Sequence, residues 1–151
     1  MSALREKYVN PLTDFGFKKL FGEEPNKELL IAFLNDLLVG SENIVDLTYL
    51  NNEKLGRKQD DRKAVYDLYC TNQDGEKFIV EVQRVKQEFF KERTVYYSTF
   101  AIQDQADRGK DWYYELKAVY TIAIMDFVFD ATHKDKIQHR VQLLDVDTHK
   151  V

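Results

Sequence analysis

Apolar positions divide the chain into helix-like and strand-like stretches. After Asn10-Pro11, the recurrence of Phe17, Leu20 and Phe21 predicts a helix that starts near Thr13 or Asp14 and ends at Gly22. Asp14 is a good N-cap residue, and taken alone that is its simplest role. A second helix opens at Pro25-Asn26, carries Leu29, Leu30, Phe33, Leu34 and Leu37 on one broad face, and stops at Gly40. Such a face packs on a sheet. Residues 44–50 read as a strand. Residues 51–63 form a polar connection in which Lys54, Arg57, Lys58, Arg62 and Lys63 are either phosphate contacts or solvated surface, offset by Asp60 and Asp61.

Two alternating runs follow, residues 65–70 and 78–83, on either side of Asn72-Gln73-Asp74-Gly75, whose Asp-Gly step marks a hairpin. A two-residue loop would set Asp67 across from Val82 and Glu81 across from Leu68, mixing acids with apolar residues on both faces. A three-residue loop with Gly75 left-handed instead pairs Tyr66 with Val82, Leu68 with Val80 and Cys70 with Phe78, a wholly apolar face. The second register is the one predicted. A long helix is expected over residues 87–108, with Phe89, Phe90, Arg93, Tyr96, Tyr97, Phe100, Ala101 and Asp104 at three- and four-residue intervals, ended by Gly109. Its aromatics are most simply core. The continuous apolar run at residues 118–127 reads as a buried strand, and a further strand is expected at residues 140–144.

The predicted register also creates chemistry. It sets Asp67 directly across from Glu81, with Val65, Tyr69, Ile79 and Gln83 as near neighbours and no basic residue among them. Like charges directly opposite destabilise a sheet, so such a pair shares a proton or binds a cation. Mg²⁺ or Mn²⁺ suits carboxylate oxygens and leaves positions for water and substrate phosphate. The plainer alternative is that both acids simply face water. Arg93, one turn from Tyr96 and Tyr97, is placed to reach a phosphate or a hairpin carboxylate. Arg93, Tyr97 and Lys63 are therefore the candidate substrate contacts.

Composition narrows the field. A length of 151 residues suits one domain, and 44% hydrophobic with 32% charged residues excludes a disordered chain. The single cysteine, Cys70, cannot form an internal disulfide and reads as a small core residue in a reducing compartment. No signal-peptide core or membrane-length apolar run is present, so no membrane role and a cytoplasmic location are expected. The formal net charge of −4 offers no overall attraction to nucleic acid, so any such contact must come from local patches. His133, His139 and His149 lack zinc-site spacing, and no Gly-rich phosphate loop or Gly-x-Ser-x-Gly turn occurs.

The predicted order of helices, three strands, helix and strand is an α/β (α+β) arrangement, a mixed sheet flanked by helices. Asp67 followed by Glu81-Val82-Gln83 on such a hairpin resembles the PD-(D/E)XK nuclease superfamily, and within it the PD-(D/E)XK nuclease family transposases, or recombination-promoting nucleases. Supporting phrases are Thr13-Asp14-Phe15-Gly16-Phe17-Lys18-Lys19-Leu20-Phe21, Phe33-Leu34-Asn35-Asp36-Leu37-Leu38, Arg93-Thr94-Val95-Tyr96-Tyr97 and Leu116-Lys117-Ala118-Val119-Tyr120. Their order across about residues 10–127 makes the likeness specific.

The resemblance implies a restriction-endonuclease-like core of helix-strand-strand-strand-helix-strand and a metal-dependent DNA endonuclease associated with transposition or recombination. It implies Asp67 as the metal-binding aspartate, Glu81 as the second acid, Val82 as a further metal ligand and Asp14 as an acid from the first helix. Gln83 stands where the superfamily carries lysine. A neutral amide orients a water but neither charges nor deprotonates it, so Mg²⁺ or Mn²⁺ would have to supply most of the acidification. DNA is the implied partner, and a homodimer would suit staggered cutting. The family usually runs longer, so a single nuclease-like domain truncated at its C-terminus is expected. The alternative is a catalytically inert nuclease-like module that binds DNA or protein. A toxin- or defence-like regulator leaves no mark in the residues.

Overall fold

Thr13, not Asp14, opens the first helix. Thr13 has the extended conformation that precedes a helix, and its Oγ1 accepts the Gly16 N–H at 3.0 Å. The structure, a computed structural model, describes residues 8–40, 43–54, 64–106 and 113–150. Helix α1 spans Asp14–Phe21 and ends at Gly22. Asp14 thereby falls in the first turn, where its carboxylate pairs with Lys18 instead of capping. A 3₁₀ turn at Glu24–Asn26 leads into α2, Lys27–Leu37. Its buried stripe is narrower than expected: Leu30 and Leu34 are fully buried, Phe33 and Leu37 partly, and Leu29 faces solvent.

The strands are β1 Leu47–Tyr49, β2 Glu53–Lys54, β3 Ala64–Val65, β4 Leu68–Asn72 and β5 Lys77–Gln83, followed by α3 Phe90–Gln103 and β6 Val119–Met125. A four-stranded mixed sheet runs in the order β1-β4-β5-β6, with β5 and β6 parallel and the other neighbours antiparallel. Parallel neighbours need a crossover, and α3 provides it. Strands β2 and β3 pair as a separate ribbon. This is the expected mixed sheet flanked by helices.

The β4–β5 hairpin takes the predicted register, with Leu68 opposite Val80 and Cys70 opposite Phe78. Gly75 sits at φ +84, in the left-handed region glycine tolerates. Buried Asn72 ties the loop, its Oδ1 accepting the N–H groups of Asp74 and Glu76 at 3.0 and 2.9 Å.

The predicted Tyr66–Val82 pair does not form. Strand β4 begins only at Leu68, and the Tyr66 N–H donates to Asn52 O at 2.9 Å. The chain bends at Asp67, whose own carboxylate takes the Val82 N–H at 2.6 Å. A short acidic side chain has displaced the ladder. Tyr66 therefore joins Tyr69, Ile79 and Ala101 beneath α3, while Leu68, Cys70, Phe78 and Val80 pack on the other face with Phe17, Leu30 and Leu34. Cys70 is fully buried, and burial pushes its thiol up to about 12, the setting of an inert core residue.

Three further expectations change. Helix α3 starts later than residue 87, at Phe90, after Phe89 adopts φ 57. Strand β6 is half-exposed along its whole length, because it forms an edge of the sheet. Residues 140–144 are not a strand. Gly109 and the loop cations Arg57, Lys58, Arg62 and Lys63 lie outside the described residues. Among the described residues no helix is long and apolar enough to cross a membrane.

The start of α1 can be tested directly. An added Cβ at Gly16 would come 1.9 Å from the Asn10 carbonyl oxygen, a backbone atom. Thr13→Ala should cost about 1 kcal/mol through loss of the cap, and Gly16→Ala on the order of 2 kcal/mol or more through steric displacement. Urea denaturation of both variants gives the comparison; a Gly16→Ala protein as stable as Thr13→Ala would show that the close approach relaxes freely.

Candidate active site

The bend at Asp67 fixes one carboxylate at the end of the hairpin. Its Oδ2 accepts the Val82 N–H at 2.6 Å, while its Oδ1 faces α1, 3.8 Å from Lys18 Nζ. The side chain is only 17% exposed. Burial raises the Asp67 pKa, the Val82 N–H opposes that rise, and hydrogen bonding to the Asp14 carboxyl group adds to it.

Helix α1 brings the second acid and a cation. Lys18 Nζ lies 2.6 Å from Asp14 Oδ1, one helical turn away. That contact is the main cause of the lowered Asp14 pKa, with hydrogen bonding to Asp67 acting in the same direction. The Lys18 pKa is raised chiefly by hydrogen bonding to Asp14, with the negative charges of Asp14, Asp67 and Glu81 contributing. The expectation that no basic residue accompanies the acid pair is therefore corrected. It considered only strand neighbours, whereas the cation arrives from a helix.

The third acid comes from β5. Glu81 is 8% exposed, and its Oε1 is buried without a hydrogen-bond partner, as is Thr121 Oγ1. Desolvation, followed by the Asp67 charge, pushes its pKa up to about 7, against the opposing effects of Arg93, the Asp67 backbone N–H and Lys18. Glu81 thus keeps its proton to higher pH than an ordinary carboxyl group, whereas the lowered pKa of Asp14 favours its anionic form.

Gln83, two residues further along β5, is held at both ends of its amide. Its Oε1 accepts from Arg93 Nη2 at 2.8 Å and its Nε2 donates to the Val85 carbonyl at 2.8 Å. Arg93 also bonds Gln87 through Nη1 and lies over the rings of Phe90 and Tyr97. Tyr97 packs edge-on against Tyr66, and its carbonyl accepts the Tyr66 hydroxyl at 2.9 Å. Val82 donates its N–H to Asp67 and packs its side chain against the core, leaving the backbone carbonyl as its one metal-competent atom. Asp67 interacts with Asp14 on one side and with Glu81 on the other; Gln83, Arg93 and Tyr97 form a further group; Lys63 is outside the described residues.

The donor set can be weighed against a divalent ion. Mg²⁺ commonly takes only one or two carboxylates, waters and substrate phosphates completing its shell. Asp67 and Glu81 supply two acids, one with an orphaned buried oxygen, and that fits such an ion. No group of three or more His, Cys, Asp or Glu side chains among the described residues makes a fully protein-built metal centre. The residue missed from sequence is Lys18; its signal is the Asp14-to-Lys18 spacing of four on a short helix.

The family model described as PD-(D/E)XK nuclease family transposase matches residues 11–151. No curated protein and no solved structure matches the chain.

The buried acid makes stability depend on pH. Glu81 keeps its proton to higher pH when folded than when unfolded, so its contribution is full below its ordinary value of 4.5 and lost as pH rises through about 7. With chelator present, Glu81→Gln should gain stability over the parent as pH increases, reaching on the order of 3 kcal/mol by about pH 8. Paired urea titrations at low and high pH measure the difference, and parallel pH profiles for the two proteins would rule it out.

Proposed function

The chain belongs to the PD-(D/E)XK nuclease family transposases, and from that premise we propose that it hydrolyses DNA phosphodiesters with the help of a divalent metal. A nuclease linked to transposition is what the family supplies. The observation that carries the finer reading is Glu81 Oε1, buried and unpartnered beside the anchored carboxylate of Asp67. A buried carboxyl oxygen with nothing to bond to is costly unless a ligand completes it.

In this mechanism Asp67, Glu81 and the Val82 carbonyl would hold Mg²⁺ or Mn²⁺, with Asp14 as a further acid from α1. Such an ion would supply acidification of a water and neutralise charge on the phosphoryl oxygen. The Val82 N–H keeps Asp67 in one orientation, so the carboxylate need not reorganise when a ligand arrives. Glu81 would have to give up its proton to bind a cation, so metal uptake near neutral pH would release protons. Arg93 fixes the Gln83 amide from one side and the Val85 carbonyl fixes it from the other, leaving its second amide N–H to position a water. Tyr97 supports Arg93 from below. Staggered double-strand cutting requires two such sites, and a homodimer belongs to the same proposal.

A second reading has its own observation in its favour. The Gln83 carbonyl is already engaged by Arg93, as in a structural contact, and the net charge is −4. On that reading the chain is an inert nuclease-like module binding DNA or protein. Supercoiled plasmid with Mg²⁺ separates the two: the parent should nick it, EDTA should stop nicking, and Asp67→Ala should slow it by roughly 100-fold or more. Cleavage by Asp67→Ala at the parent rate would eliminate the hydrolytic proposal; failure of the parent to cleave, with no calorimetric uptake of Mn²⁺, would favour the inert module.

A further inference from the structure

We propose that Lys18 is a built-in counter-ion of the acid site, occupying the place of the divalent cation until one binds and moving out when it does. The proposal rests on the metal-binding reading above. Its starting point is the position of the ammonium group, 2.6 Å from Asp14 Oδ1 and 3.8 Å from Asp67 Oδ1, within the field of Glu81. The Asp14 contact by itself is an ordinary helix-surface pair of small value. The approach to Asp67 is different, because that carboxylate is mostly buried and belongs to the hairpin.

Among the described residues no other basic side chain pairs with Asp67. Arg93 spends its donors on Gln83 and Gln87, on the α3 side. Asp67 Oδ2 is committed to Val82, so Oδ1 is the oxygen left for a cation, and it is the one Lys18 faces. An ammonium and a divalent ion repel each other, so a cation bound at that oxygen would push Lys18 away from its present position 3.8 Å from it. Metal binding and the Lys18–Asp67 approach therefore oppose each other.

Departure is open to Lys18. Its side chain is 37% exposed, and a cleft of about 190 Å³ lined by Lys18, Gly22, Tyr49, Asn52, Asp67 and Leu68 lies beside it. A flexible four-carbon stem can swing into that cleft or into solvent without disturbing the packed core. Without metal, Lys18 offsets the repulsion among Asp14, Asp67 and Glu81; with metal, it is redundant.

Calorimetric titration of the metal-free full chain with Mn²⁺, in the absence of DNA, tests this. Lys18→Met and Lys18→Gln should each bind Mn²⁺ about 10-fold more tightly than the parent, because no internal cation has to be displaced. Both should melt lower than the parent without metal and show a larger rise in Tm when Mn²⁺ is added, while Lys18→Arg should bind no more tightly than the parent. Equal or weaker binding by Lys18→Met and Lys18→Gln, alongside parent binding that Glu81→Ala abolishes, overturns the counter-ion role and leaves the metal site standing. Absence of Mn²⁺ uptake by the parent and by both variants overturns the metal site itself and the counter-ion role with it.

Discussion

The 2.6 Å hydrogen bond from the Val82 N–H to Asp67 Oδ2 is the contact on which the centre of the molecule depends. At this point a strand would ordinarily offer a backbone carbonyl; here a side chain does so. Because the carboxylate satisfies the partner strand, the backbone of residues 66–67 is released from the ladder and bends. Tyr66 then turns under α3, and Asp67 is left with one committed oxygen and one facing α1. Core packing and acid placement are two results of the same bond.

Strand β5 serves both layers at once. Phe78 and Val80 fill the face beneath α1 and α2, and Ile79 fills the face beneath α3. Glu81 follows Ile79 on the α3 face, and its carboxyl group is carried into burial by the apolar residues that precede it. Burying an acid with an orphaned oxygen opposes folding, and the surrounding core offsets that cost. Natural sequences keep such local conflicts mainly where a ligand or a reaction uses them.

Helices α1 and α3 each send one cation toward the hairpin. From α1, Lys18 reaches Asp14 and faces Asp67; from α3, Arg93 grips Gln83 and lies over Tyr97. The two behave differently because of their chemistry. The guanidinium is planar, stacked and bonded in two directions, so it fixes an orientation; the ammonium is a point charge on a flexible stem, which suits the displaceable role proposed for it. The candidate acid site is therefore framed by positive groups of two kinds.

Much of this was legible in the residues. Alternation along β4 and β5, with Asp74-Gly75 between them, selected the register, because the alternative two-residue loop would mix acids with apolar residues on both faces. The helix periodicity located α1, α2 and α3, and the phrase Asp67 with Glu81-Val82-Gln83 singled out two candidate acids. Pattern was not enough where one side chain overrode the backbone or where exposure depended on neighbours. The bend at Asp67, the capping by Thr13 and the half-exposure of the apolar strand β6 each depended on which atoms stood nearby. The same is true of Lys18. Periodicity tells which face of a helix turns inward, but whether a charged tip reaches an acid on a hairpin distant in sequence is decided only when the elements pack, since electrostatic interaction depends on distance in space and not along the chain.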